Sequence, residues 1–156
     1  MIDETTKQAA QEFLAEKIAD ENQKLEEKLN REAVVALSLQ VWKRFRDSIF
    51  SQCDVWNSVT QEETLTCKET PLGDLRIWCA AKSKQLTVHY DSRKYSVTLK
   101  NAGRPEHEKD AVLHIEAYST GSQRNARLIR NDEPVNVDML ILGELRVLTG
   151  LGRRRD

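Results

Sequence analysis

The chain has 156 residues, 39% of them hydrophobic and 31% charged, and its 24 Lys and Arg nearly balance 25 Asp and Glu; it can bury one modest core and has no excess of either charge. That balance argues against a strongly basic, dedicated nucleic-acid binder, and the longest apolar runs fall far short of the roughly 20 residues that span a bilayer. Cys53, Cys67 and Cys79 include no C-x-x-C pair, and residues 1–10 are acidic and polar where a signal peptide needs a basic start and an apolar core. Reduced thiols in a soluble cytoplasmic protein are expected, with no membrane segment.

All prolines and glycines lie beyond residue 70, from Pro71 to Gly152, which divides the chain into a helical front and a back of short strands and turns. From Asp3, read as an N-cap, to about Trp56 the residues are mostly good helix formers. Opposite charges stand at helical spacing, as in Asp3 with Lys7, Lys17 with Glu21 and Asp20 with Lys24. Unbroken, such a helix runs about 80 Å at roughly 1.5 Å per residue, so it must break or project. Leu14, Ile18, Leu25 and Leu29 share one face, whereas Trp42, Phe45, Ile49, Cys53 and Trp56 share a face about a third of a turn away. The burial partner therefore changes near residues 30–35. Residues 1–35 read as a helical arm with too few apolar anchors to fold alone, and residues 36–156 as an α+β domain whose core helix covers 36–57. No internal repeat is apparent.

After a threonine-rich bridge the hydrophobic period becomes two. Strands are expected around Leu75–Ala81, Leu86–Tyr90, Tyr95–Leu99, Ala111–Tyr118 and Asn125–Arg130, with Thr64–Lys68 as a sixth strand at the edge. Residues 135–148 read as a helix with Gly150 as its C-cap, and a strand is the alternative. The expected fold is α+β: an arm and core helix on an antiparallel sheet of five or six strands, closed by a C-terminal helix.

The outward sheet face would carry Arg76, Trp78, His89, Lys94, Lys100, His114, Glu116, Tyr118 and Arg127. Rings that stack on bases beside cations that meet phosphates are a known way to hold single-stranded nucleic acid, although no RNP1 pattern is present. His89 and His114 share that face but should lie about 10 Å apart, two strand spacings, so no metal site is assigned. Glu144 falls within an apolar stripe and needs a partner, for which Arg127 is the candidate. His107 sits in a charged loop at residues 105–110, and Arg153, Arg154 and Arg155 form a basic tail. No nucleophile elbow, phosphate loop, H-E-x-x-H or dinucleotide fingerprint is present, so catalysis lacks support and no cofactor is expected.

The leading expectation is a non-catalytic protein–protein interaction or oligomeric scaffold using Leu14, Ile18, Leu25 and Leu29, with Trp78, His89, His114 and Tyr118 as a second surface. Nucleic-acid binding through the sheet face and basic tail is the alternative. A small-ligand enzyme around His89, His114 or Glu144 ranks third.

Overall fold

A computed structural model describes residues 2–101 and 110–152. His107 with most of its charged loop, and the arginine tail, lie outside the described residues. The chain opens with helix α1, Ile2–Thr60, which is continuous for 59 residues. It resolves the choice between breaking and projecting in favour of projection. Because the helix begins at Ile2, Asp3 stands in the first turn, where an acid suits the positive helix end, rather than at the N-cap.

Seven strands follow: β1 Leu65–Glu69, β2 Leu75–Cys79, β3 Lys84–Asp91, β4 Ser96–Asn101, β5 Ala111–Thr120, β6 Gln123–Arg130 and β7 Glu133–Pro134. Each pairs antiparallel with the next in chain order, so the sheet is a simple meander. The expected count of five or six was too low. β1 is real, and β7 arises because Asn131 and Asp132 both take positive φ, +52° and +64°, which two-residue hairpin turns of the I′ type need. Asn and Asp tolerate that region because their short side chains can bond locally. Pro134, with no N–H to give a ladder, sits on the edge strand where its loss costs nothing.

Helix α2, Val137–Leu148, settles the ambiguous segment as helix. Asn136 caps it by accepting from the Met139 N–H at 3.2 Å. Beyond the other end Gly150 has φ +86°, and Leu151 N–H donates to Arg146 O at 2.8 Å while Gly150 N–H donates to Val147 O at 3.2 Å. This is a Schellman closure, which needs a residue free to adopt the left-handed region. The reversal turns Leu151 out to 59% exposure, while Leu145 is fully buried.

Both helices pack on one sheet face. Trp42, Phe45, Ile49 and Cys53 from α1 and Ile141, Leu145 and Leu148 from α2 join Leu75, Ile77, Val88, Val97, Leu113 and Ile115 in a single core. Trp42 stacks on Tyr90, ring centroids 5.5 Å apart, and the Tyr90 hydroxyl donates to buried Ser38 at 3.1 Å. Gln52 reaches across to the Asp138 carbonyl at 3.0 Å, tying α1 to α2. At the edge, Asn57 donates to Leu65 O at 2.8 Å and accepts from Leu65 N–H at 2.9 Å, as a further strand would. That covers part of an edge that would otherwise be open to another chain.

Candidate functional site

The first candidate is the free part of α1. Residues 2–28 are exposed throughout, a length of about 40 Å at 1.5 Å per residue. Leu14, Ile18 and Leu25 are 55%, 49% and 54% exposed, with Leu29 half-buried where the helix reaches the sheet. Nothing in the helix propensity of this segment demands that these positions be apolar, since lysine or glutamate would serve as well.

The stripe is also repeated. Leu14-x-Glu16-Lys17-Ile18-x-x-Glu21 recurs eleven residues later as Leu25-x-Glu27-Lys28-Leu29-x-x-Glu32. Eleven residues close on three turns at about 3.67 per turn, so the two units superimpose on one face of a nearly straight helix. Sequence reasoning missed this repeat. It is only two units long and becomes visible once the helix is known to run unbroken through residues 30–35.

A clamp sets where the free part begins. Arg124, at the end of the β5–β6 hairpin, donates to the two Glu26 carboxylate oxygens at 3.0 and 2.8 Å and to the Asn30 side-chain oxygen. The hydrogen bonds and charge of Arg124 hold the Glu26 carboxyl below the ordinary value of 4.5. The hairpin thus braces α1 from the side, and everything N-terminal to the brace extends into solvent. Phe13, 70% exposed, lies off the stripe, and no other described residue explains it.

The outward sheet face is the second candidate. No helix covers it among the described residues, yet it does not form one platform. The strand registers place Trp78 and Tyr118 three strands apart and offset along the strands by about ten residues, roughly 33 Å at 3.3 Å per residue. Tyr118 already carries the Arg127 guanidinium 4.5 Å over its ring, and Arg127 donates to Glu116 at 3.2 Å. The cation expected to meet Glu144 is therefore engaged on the opposite side of the sheet.

Glu144 is 1% exposed, and Asn101 donates to its carboxylate at 3.0 Å and to its backbone oxygen at 3.2 Å. His89 Nδ1 lies 2.6 Å from Asp74 Oδ1, a pairing that can orient the ring and leave Nε2 toward solvent. His114 is exposed two strands away, aligned with Ser96 and Ile129, which puts the two histidines about 12 Å apart by strand spacing and rise. Glu144 sits beneath the sheet and the histidines above it. These three do not converge, and among the described residues no three His, Cys, Asp or Glu are grouped to hold a metal.

One apolar groove of about 450 Å³ lies beside the last turns of α1, lined by Val55, Trp56, Val59 and Leu142 with Ser51, Gln52 and Thr60. It presents no titratable side chain and so no acid–base pair. No described helix is long and apolar enough to cross a membrane. None of the family models, curated proteins or solved structures compared with the chain matches it.

Proposed function

We propose that this protein is a non-catalytic interaction protein that pairs with a second copy of itself through the N-terminal arm of α1. The observation that carries this reading is the repeated stripe, whose Leu14, Ile18 and Leu25 are left in solvent on a helix braced at its root. An isolated helix with so narrow an apolar face gains little from burial until another surface covers it.

A second arm is the occupant that fits. The spacing of four, seven and four residues reads the same from both ends, so two copies can meet apolar side chain against apolar side chain in either orientation. On helical angles Lys17, Lys24 and Lys28 share one flank of the stripe with Glu21 and Glu32, so that flank carries both signs and charge does not choose between the two orientations. Because the stripe is turned about a third of a turn from the sheet-packed face, two arms can meet without displacing either sheet. The thiols are unpaired by disulfides, which suits a reducing compartment such as the cytoplasm.

The test is light scattering on the full chain and on the double variant Ile18→Asp, Leu25→Asp. The wild type should give twice the monomer mass and the variant the monomer mass, with unchanged circular dichroism from the sheet. A monomeric wild type at high micromolar concentration would refute the reading, as would a variant that still dimerises.

A further inference from the structure

Cys53, on α1, and Cys67, on β1, are the one place where two nucleophilic groups meet among the described residues away from the surfaces above. Their meeting follows from the local geometry. Asn57 clamps both backbone groups of Leu65; one helical turn back from Asn57 is Cys53, and two residues on from Leu65, on the same strand face, is Cys67. The turn rise of about 5.4 Å and the two-residue strand rise of about 6.6 Å are close enough to keep the second pair opposite when the first is opposite. That register turns both side chains toward one core, in which Cys53 is buried and against which Cys67 packs. Cys53 is buried and Cys67 half-buried at the edge of the sheet.

We propose that Cys53 and Cys67 are a reversible oxidation site, forming a disulfide when a hydroperoxide reaches Cys67 and so stapling the last turns of α1 to the edge strand. The division of labour follows from their surroundings. The neighbouring Cys53 thiol holds Cys67 below its ordinary value of 9.0, while Cys67 and burial push Cys53 up. Half-buried Cys67 is thus the more accessible and more readily ionised nucleophile, and buried Cys53 the resolving thiol beside it.

The electrons and atoms balance with hydrogen peroxide as oxidant. The Cys67 thiolate attacks one peroxide oxygen, the O–O bond breaks, and Cys67 sulfenic acid forms as hydroxide leaves and takes up the proton that Cys67 gave up. Cys53 sulfur then attacks Cys67 sulfur, the S–O bond breaks, and the departing hydroxyl leaves as water with the Cys53 proton. Two thiols and one peroxide become one disulfide and two waters. The bond formed is an S–S bond of about 2.05 Å. A thiol donor reverses the step.

The staple would change the response of the fold rather than its shape, since it closes a loop that Asn57 already closes by hydrogen bonds. Cys79 is the competing partner. It stands across the ladder from Leu65, diagonal to Cys67 on the same face, but it is buried on the next strand in from the edge.

The experiment treats the reduced full chain with stoichiometric hydrogen peroxide, followed by intact mass and peptide mapping under non-reducing conditions. The wild type should lose the mass of two hydrogens, show a Cys53–Cys67 crosslink, and unfold at a higher temperature than the reduced chain, all reversed by dithiothreitol. Cys53→Ser should instead accumulate sulfenic acid at Cys67 that dimedone traps, and Cys67→Ser should do neither. In the untreated wild type, iodoacetamide should label Cys67 about tenfold faster than Cys53 or Cys79. A link to Cys79, over-oxidation of Cys67 without a crosslink, or equal labelling of the three thiols would each overturn the proposal. The wild-type readouts stand even if a serine variant folds poorly.

Discussion

The two ends of α1 are built from one continuous helix and obey different physics. The turns from Ser38 to Cys53 lay Trp42, Phe45 and Ile49 on the sheet at 4%, 1% and 1% exposure, so burial alone holds them. The arm has the same backbone and a stripe of comparable regularity, yet Leu14, Ile18 and Leu25 stay about half exposed. Helical order is therefore not what separates the two regions. What separates them is which face has something to lie on, and the boundary is the brace of Arg124 on Glu26 and Asn30, near where the sheet runs out.

The strongest way to break this contrast is at the root. Phe45→Ala should cost about 3–5 kcal/mol, read as a lowered urea midpoint that does not depend on protein concentration. A loss under about 1 kcal/mol would mean that the aromatic stripe is not the main anchor. Next comes the edge clamp. Asn57→Ala leaves the N–H and C=O of buried Leu65 without their side-chain partner and should cost about 1–3 kcal/mol, with faster hydrogen exchange confined first to β1. If β1 amides keep their protection, the clamp is ornamental and the β1 ladder to β2 suffices.

The contrast sharpens at the arm, where Ile18→Ala should leave the stability of the dilute chain within about 0.5 kcal/mol of wild type and act only on association. Equal losses from Ile18→Ala and Phe45→Ala, independent of concentration, would make arm and root one core. The smallest effect concerns the brace. Glu26 has its carboxyl held below 4.5, so the Arg124 interaction is fully present above that value and weakens as pH falls through the lowered value. Both side chains are solvated, so the expectation is a local one: amide exchange around residues 24–30 should quicken, relative to the intrinsic rate, below pH 4.5 in the wild type. The same region in Arg124→Gln should show no such step.

Much of this was legible in the sequence, for reasons that can be named. Trp42, Phe45, Ile49 and Cys53 announce the buried face because large apolar groups at helical spacing have few other uses, and the absence of Gly and Pro before residue 70 announces a long helical front without saying whether it breaks. Gly150 marks the C-terminal end of α2 by its capping chemistry, whereas the Asn136 cap at the other end went unread. Other features depend on pairing across the chain. β7 hides in two residues and was readable only from Asn131-Asp132 as a turn with positive φ at both positions. Neither the Asn101–Glu144 bond nor the Arg124 brace has a local signature, since their partners stand 43 and 98 residues apart. The scatter of Trp78 and Tyr118 to far corners of one face follows from strand stagger, which alternation alone does not reveal. The thiol pair likewise needed the Asn57–Leu65 clamp before Cys53 and Cys67 could be placed together.

Hydrogen exchange along α1 at a series of protein concentrations tests the account most directly. Amides in residues 38–53 should be equally protected at every concentration. Those in residues 5–23 should exchange fast in dilute solution and become protected as concentration rises, and Ile18→Asp with Leu25→Asp should abolish that gain. Arm amides protected at all dilutions, or unprotected at all concentrations, would contradict the claim that a second copy covers the stripe.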